Sequence, residues 1–264
     1  MAPINVLMYL FSPIPQKPFL ALETIPELDH LTKNWEVLKE EALNLQSSQT
    51  IKGSDKYNDI GFNSFFRRGW KRFYIKWYSK NYHSSAIEKC PKTIELLKKT
   101  PSVKAAMFVV LPAGSWLPSH RDPFAGSLRY HLGLVTPNDD RCYIDVDGQK
   151  YSWRDGKAVL FDETYIHNAV NESEQDRLIF FCDIRRPMYN KIGEWLNSFF
   201  AWFIVSAAKS PNDDNEDKTG NLNKIFGSVY QIRLIGKRLK AYNVTLYYIV
   251  KYLLFGVIIY WLFF

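Results

Sequence analysis

The sequence predicts an α+β protein in which a helical N-terminal region precedes a strand-rich core. Residues 25–45 carry apolar side chains at near-helical spacing, with acidic residues and lysines between them. Residues 101–187 instead contain short runs rich in β-forming residues, separated by turn sequences such as PAG, PNDD and DVDG. Strands that recur about every ten residues favour a sandwich or a barrel.

The composition is that of a folded, basic protein. Apolar residues make up 47% of the 264 residues and charged residues 23%, which excludes a largely disordered chain. The formal net charge of +7 favours a partner that carries phosphate or anionic lipid. Three widely spaced cysteines, Cys90, Cys142 and Cys182, exclude a disulfide framework, and we expect them to be small buried residues in a reducing compartment.

Two helices are predicted within residues 1–100, a region that we expect to pack on the core. The second helix covers residues 90–99 and has Pro91 near its start, where the missing N–H group is not needed. The first covers residues 25–45, and its apolar face consists of Leu28, Leu31, Trp35, Leu38 and Leu43.

Residues 61–78, GFNSFFRRGWKRFYIKWY, combine basic and aromatic side chains and contain no acidic residue. One interpretation is a surface on which the basic groups meet lipid phosphates while the rings lie at the headgroup level. The other is a helix that packs its rings inward and leaves its basic side chains in solvent. Stacking on nucleic-acid bases is a third use of this mixture, and we do not predict it.

One hairpin within the core can be assigned from its turn. In IDVDGQKYSW, Asp147 and Gly148 separate two runs of β-forming residues. Asp-Gly favours the tight two-residue turns that connect antiparallel strands. The sequence therefore predicts a hairpin that turns at these two residues.

Residues 188–208 are predicted to form an amphipathic helix. Its apolar face consists of Ile192, Trp195, Leu196, Phe199 and Phe203. Such a helix could lie in a membrane interface or dock on the body of the protein, and the sequence does not decide between these.

The C-terminal end is predicted to contact a membrane. Residues 209–243 are expected to form a flexible linker and a basic juxtamembrane segment, and residues 244–264 a transmembrane helix. The last of these has one charged residue, Lys251, and is about as long as a bilayer crossing requires. Lysines and arginines, without acidic residues, lead up to it, which favours a cytoplasmic location for the N-terminal body.

The stretch SHRDPF suggests a metal site. His120 and Asp122 are one residue apart, and on a strand two such side chains point the same way. Non-haem Fe(II) oxygenases hold iron with two histidines and one carboxylate. His131 and His167 are the later histidines, and His167 is preferred because it begins a separate predicted strand. A kinase loop is excluded, since Ser127 stands where the His-Arg-Asp motif requires asparagine.

Arg177 follows His167 by ten residues and begins the predicted strand RLIFFCDI. Arg177, Ile179, Phe181 and Asp183 are expected to share one face of that strand. A planar guanidinium directed into a barrel suits a carboxylate ligand, and burying it without an anion would be costly. We therefore predict that it binds the carboxylate of a cosubstrate.

Three motifs carry a resemblance to a known family. HRDPFAGSLRYHLGL, WRDGKAVLFDETYIHNAVNES and GFNSFFRRGWKRFYIKWY resemble the aspartyl/asparaginyl β-hydroxylase family of Fe(II)/2-oxoglutarate dioxygenases, in the branch that contains bacterial lipid A 2-hydroxylases. The resemblance covers nearly all of residues 4–187. It implies a double-stranded β-helix, or jelly-roll, core of the cupin-like type.

By position, His120 and His167 match the family's two iron-binding histidines. The resemblance also implies that three residues contact the cosubstrate, namely Arg129, His131 and Arg177. Mammalian members have glycine at the position of Asp122, so this chain offers a carboxylate ligand that they lack. They also use a serine for 2-oxoglutarate at the position that matches Val109 of this chain, which removes one hydrogen bond.

The resemblance implies hydroxylation at C2 of a secondary acyl chain of lipid A, with Fe(II), 2-oxoglutarate and O2. The expected location is the bacterial inner membrane with the catalytic body on its cytoplasmic side, and neither a nucleic acid nor an obligate protein partner is expected. A peptidyl aspartyl/asparaginyl β-hydroxylase and a catalytically silent membrane scaffold are the alternatives.

Overall fold

The computed structural model describes residues 2–54, 59, 61–205, 208–212 and 220–263. The helix predicted over residues 25–45 is two helices that meet at Asn34. In this N-terminal part the helices are α1 (Ala2–Leu10), α2 (Leu28–Lys33), α3 (Trp35–Ser47), α4 (Asn63–Phe66), α5 (Ser84–Lys89) and α6 (Pro91–Lys98).

Two antiparallel sheets form the core of the described chain. The larger has the order β1-β8-β5-β10-β3-β2 and the smaller β4-β9-β6-β7. The strands are β1 (Phe19–Leu20), β2 (Lys71–Trp77), β3 (Val103–Leu111), β4 (Trp116–His120), β5 (Ser127–Val135), β6 (Cys142–Val146), β7 (Gln149–Ser152), β8 (Ala158–Phe161), β9 (His167–Asn171) and β10 (Arg177–Arg185). This mixture of helices and facing antiparallel sheets agrees with the jelly-roll expectation.

The larger sheet is buried on both faces. Its inner face packs against the smaller sheet, where Ile179 and Phe181 share a cluster with Ile144. Its outer face is covered by α2, α3 and α6, so Phe108 and Phe180 lie against Leu38. Because both faces are covered, β3, β5 and β10 are buried at almost every position.

The hairpin predicted at Asp147 and Gly148 is confirmed. Val146 pairs with Gln149 across the turn. Asp147 and Gly148 have φ angles of 53° and 82°, the left-handed pair that the tightest hairpin turns require. The three cysteines are buried free thiols, as expected.

The segment 61–78 is not the helix that one interpretation allowed. Its second half is β2, an edge strand of the larger sheet, and only the short helix α4 precedes it. Arg72, expected at the surface, is buried, and its guanidinium donates two hydrogen bonds to Oδ2 of Asp59 at 3.0 and 3.1 Å. This arginine is therefore structural, and the exposed cations of the segment are Arg67 and Lys71.

Residues 208–212 are not a flexible linker. The side chain of Asn212 is buried, accepts a hydrogen bond from the Tyr74 amide at 2.6 Å and donates one to the Tyr74 carbonyl at 2.7 Å. One asparagine thus satisfies part of the free edge of β2. Within the rest of the predicted linker, residues 213–219 lie outside the described residues.

Three α-helices of the described chain lie beyond β10, namely α7 (Lys191–Phe200), α8 (Asn221–Tyr242) and α9 (Val244–Phe263). The last of them covers the stretch that was predicted to span a membrane. In the described part of the chain, no helix combines the length and the apolar character that a bilayer crossing requires. Lys251 and several tyrosines interrupt the apolar run. The expectation of a transmembrane helix over residues 244–264 is therefore not supported.

Candidate active site

His120 ends β4 and His167 begins β9, and the two residues pair directly across these antiparallel strands. Their ring centroids are 4.2 Å apart. Nδ1 of His120 donates to the Pro118 carbonyl at 2.8 Å, and Nδ1 of His167 donates to the Tyr165 carbonyl at 2.9 Å. A carbonyl oxygen only accepts, so each ring keeps its Nε2 lone pair for a metal.

Asp122 lies just beyond the end of β4. Its amide donates to the Glu163 carbonyl at 3.0 Å, which fixes the backbone beside the histidines. One ligand atom from each of His120, Asp122 and His167 can be chosen so that all lie within 4.8 Å of one another. Two imidazoles, whose Nδ1 atoms are already bonded to carbonyl oxygens, and one carboxylate form the donor set that suits Fe(II).

The charge states of Asp122 and His167 suit a bound cation. Burial raises the pKa of Asp122, but Arg129 and the two histidines outweigh it and leave the pKa below its ordinary value. Burial lowers the pKa of His167 to about 4. The carboxylate is therefore ionised and His167 neutral near pH 7, as metal ligands must be.

Arg129, predicted to contact the cosubstrate, is surrounded by carboxylates. Its Nη2 lies 2.7 Å from Oδ2 of Asp122, and its Nε lies 2.8 Å from Oδ1 of Asp183. Glu163 also pairs with this guanidinium. Burial raises the pKa of Glu163 well above its usual range in spite of Arg129. In this arrangement Arg129 holds the carboxylate of Asp122 and has little capacity left for a second anion.

Arg177 has the opposite surroundings. Its side chain is 2% exposed, and within the described residues no carboxylate forms an ion pair with it. Its Nε has no hydrogen-bond partner there, and its guanidinium carbon lies 4.0 Å from the centre of the Trp153 ring. Burial lowers the pKa of Arg177 to about 10. A buried cation of this kind suits an anionic ligand.

His131 lies near the guanidinium groups of both Arg129 and Arg177. It is buried among aromatic rings, with the Phe181 and Phe161 centroids at 5.0 and 5.1 Å. Neither ring nitrogen has a partner among the described residues. Burial, with Arg129 and Arg177 nearby, lowers the pKa of His131 well below its usual range. The neutral imidazole can therefore donate one hydrogen bond and accept another from a bound ligand.

A single cavity of about 540 Å³ contacts all six predicted site residues. Arg177, Ile179, Phe181 and Asp183 all line it, as the alternation along one strand predicts. Val109, identified from the resemblance in place of a serine, also lines it. The remaining wall is mainly apolar and includes Phe62, Phe65, Trp77, Leu117 and Val205.

Sequence reasoning missed several residues of this site. Glu163 precedes His167 by four residues, but nothing in the local sequence indicates that it faces Arg129. Phe65, whose ring lies 5.0 Å from that of His120, comes from a segment that was interpreted as a lipid-facing surface or a packed helix, and not as part of the site. Its position follows from the placement of α4 beside β4, which local patterns do not specify.

Comparison with known proteins gives consistent matches. The ornithine lipid ester-linked acyl 2-hydroxylase of Rhizobium tropici is 31% identical over 194 residues, which are 72% of this chain and 66% of that protein. The human aspartyl/asparaginyl beta-hydroxylase is 27% identical over 60% of this chain and 21% of that protein. The chain thus spans less than two thirds of the length of these relatives. A prolyl-4-hydroxylase structure from Pseudomonas putida is 14% identical, covers 70% of this chain and 98% of its own, and has a TM-score of 0.39.

The family model for the aspartyl/asparaginyl beta-hydroxylases matches residues 32–187. This range contains both sheets except β1, together with the metal-ligand cluster and the unpaired Arg177. These residues make up more than half of the chain. The chain therefore belongs to the aspartyl/asparaginyl beta-hydroxylase family.

Proposed function

We propose that this protein is an Fe(II)- and 2-oxoglutarate-dependent dioxygenase that hydroxylates C2 of an ester-linked acyl chain on a membrane lipid. The observation that carries the proposal is the unpaired, buried Arg177 in the same cavity as His120, Asp122 and His167. A metal-ligand set alone would fit several enzymes. A buried guanidinium beside it supplies the place where a dicarboxylate cosubstrate would be held.

The roles of the residues follow from their positions. His120, Asp122 and His167 would hold the iron, and Arg129 would keep the Asp122 carboxylate directed at it. Arg177 would bind the far carboxylate of 2-oxoglutarate. Bound iron with 2-oxoglutarate and O2 supplies oxidising power for an unactivated C–H bond, one oxygen atom entering succinate as CO2 is released and the other entering the substrate.

The substrate half of the cavity is apolar. Phe62, Phe65 and Trp77 contribute rings from the segment before the core, and Leu117 and Val205 add aliphatic side chains. Such a wall suits a hydrocarbon chain and excludes water from the metal site. The name of the Rhizobium tropici relative, an ester-linked acyl 2-hydroxylase, supports the same type of substrate.

Two headgroups are compatible with this proposal. The sequence motifs favour a secondary acyl chain of lipid A, whereas the relative at 31% identity is named for ornithine lipid. We propose lipid A first, at the cytoplasmic face of a bacterial inner membrane, and ornithine-type lipids second. A peptidyl substrate is the alternative supported by the name of the human relative.

Purified protein loaded with Fe(II) would be given 2-oxoglutarate and, in separate reactions, lipid A, ornithine lipid and an aspartate-containing peptide. The proposal predicts succinate formation that depends on a lipid, and a lipid product that is heavier by one oxygen atom. The His167→Ala variant is the control. Hydroxylation of the peptide without hydroxylation of either lipid would refute the lipid proposal and leave the oxygenase assignment in place.

A further inference from the structure

The helix α7 (Lys191–Phe200) continues into a π-helical turn, Ala201–Val205, and together they form what we call the α7–π segment. One face of this segment is apolar and open to solvent. Trp195 is 63% exposed and Phe203 64%, and their rings stack on the two sides of Phe199. Ile192 and Trp202 are equally exposed. A soluble surface rarely displays so many large apolar side chains together without a partner.

The opposite face fixes the orientation of the segment. The buried Asn197 side chain donates to the Gly126 carbonyl at 2.9 Å and to the Arg186 carbonyl at 3.3 Å. At Gly193 an added Cβ would lie 2.9 Å from the Cβ of Phe11, so the helix approaches the body as closely as a glycine allows. The aromatic face is therefore held outward by the fold.

The segment also lies against the cavity wall. Leu196 and Phe200 pack on a cluster that contains Phe124, and Phe124 lines the cavity. At the other end, Nε1 of Trp77 donates to the Val205 carbonyl at 2.9 Å, and both residues are part of the cavity wall. Any surface that covers the aromatic face would therefore lie beside the cavity that contains the candidate metal site.

Three arginines lie on or next to the cavity wall. Arg121 lines the cavity, and Arg67 and Arg68 follow α4, whose Phe65 lines it. The guanidinium carbon of Arg68 lies 3.5 Å from the centre of the exposed Trp116 ring. Residues 61–78 contain no acidic side chain to compensate. Cations beside exposed tryptophans match anionic lipid headgroups, where both residue types are favourable.

We propose that the α7–π segment docks the protein on an anionic lipid surface, with the cavity mouth facing the headgroups. This inference rests on the proposed function, because it explains how an acyl chain reaches the iron site without passing through water. The rings of Trp195, Phe199 and Phe203 enter the interface, and the arginines beside the cavity contact lipid phosphates.

The test places an environment-sensitive thiol fluorophore at single positions of the full chain. The three native cysteines are buried, so an introduced cysteine is labelled selectively. Phe203→Cys is the reporter, and Leu43→Cys, on the helical layer behind the larger sheet and 40% exposed, is the matched control. Because the reporter lies on the α7–π segment itself, binding through α9 alone would not change its signal.

The proposal predicts that vesicles of phosphatidylglycerol and phosphatidylethanolamine shift the emission at position 203 to the blue, with no shift at position 43. Vesicles of phosphatidylcholine alone should give a smaller response. No shift at position 203 in protein bound to vesicles would overturn the proposal. A shift that is present without vesicles, together with a dimer in sedimentation, would assign the face to a second copy of the chain and also overturn it.

A second experiment separates docking from catalysis. The variant Trp195→Ser/Phe199→Ser/Phe203→Ser should hydroxylate lipid in vesicles at least about tenfold more slowly than wild type, because several aromatic side chains no longer enter the interface. With detergent-dispersed lipid the two rates should be equal. Equal rates on vesicles would overturn the docking proposal. If the label at position 203 reports vesicle binding but the wild-type protein oxidises no lipid, the proposed function would be refuted and docking would remain supported.

Discussion

Replacing Arg177 with methionine tests the cosubstrate site most selectively. The Arg177 side chain is 2% exposed and has no carboxylate partner within the described residues, so its guanidinium is available to a ligand. A hydrogen bond to a charged group contributes about 1.5–3 kcal/mol. Loss of the Arg177 contact should therefore weaken 2-oxoglutarate binding by roughly 10- to 150-fold.

The same substitution should not destabilise the protein without its cosubstrate. Wild-type Arg177 carries a buried positive charge, as its lowered pKa of about 10 reflects. Methionine fills a similar volume beside Trp153 without that desolvation cost. We expect the Arg177→Met variant to unfold at the same temperature as wild type or at a higher one when 2-oxoglutarate is absent.

Two assays measure these effects. Succinate formation over a range of 2-oxoglutarate concentrations gives the change in requirement, and thermal unfolding with and without 2-oxoglutarate gives a readout independent of turnover. Arg141→Met, at an exposed arginine paired with Asp139, is the matched control. An Arg177→Met variant with the wild-type 2-oxoglutarate requirement and the wild-type thermal shift would refute the assignment of this arginine.

Three further outcomes are expected. The His167→Ala variant should lose more metal affinity than the roughly 10- to 100-fold caused by outer-shell changes, as measured by Co(II) absorption, and it should still fold. Arg129→Met should lower the free energy of unfolding by about 3–5 kcal/mol, because the carboxyl groups of Asp122, Glu163 and Asp183 lose their shared cation; denaturant titration checks this. Burial and two neighbouring cations lower the pKa of Lys104 from 10.5 to about 8 in the folded protein. The unfolded chain therefore holds the Lys104 proton more tightly, and the stability of the wild type rises between pH 8 and pH 10.5. Lys104→Met should therefore stabilise the protein most below pH 8, with the gain shrinking toward pH 10.5 in thermal unfolding.

The His120–Asp122 pair of the candidate metal site could be predicted from the sequence because its geometry is local. His120 and Asp122 are one residue apart, and side chains at that spacing converge wherever the backbone is extended. Arg177 was predictable for a similar reason, since alternation along β10 places it on the same face as Phe181 and Asp183.

The surroundings of Arg129 could not be predicted in this way. Its carboxylate partners are Asp122 beyond β4, Glu163 after β8 and Asp183 on β10. Asp183 faces Arg129 because β10 pairs with β5, whereas Asp122 reaches it only because the smaller sheet packs on the larger one. One sequence gives no sign of either contact between distant strands. The resemblance assigned Arg129 to the cosubstrate and gave no indication that other residues already surround it.

Segment 61–78 shows a different limit. Strand β2 is buried at nearly every position, so the alternation that identifies a half-exposed strand is absent. Arg72 and Lys76 also suggested a solvated surface, yet Arg72 is paired with Asp59 in the interior. The charge of a side chain predicts exposure only when no oppositely charged partner is available in the interior. The partner of Arg72 is Asp59, which lies 13 residues earlier in the chain.

The most direct test of the proposed lipid hydroxylation is mass spectrometry of membrane lipids from bacterial cells that express this chain, compared with cells that express His167→Ala. We expect an acylated lipid that is heavier by one oxygen atom, with the added hydroxyl at C2 of an ester-linked chain. Cells that express the variant should lack this lipid. Unchanged lipids in cells whose purified protein still converts 2-oxoglutarate to succinate in an iron-dependent manner would contradict the lipid substrate. The same oxidised lipid in cells expressing His167→Ala would contradict the assignment of the metal site.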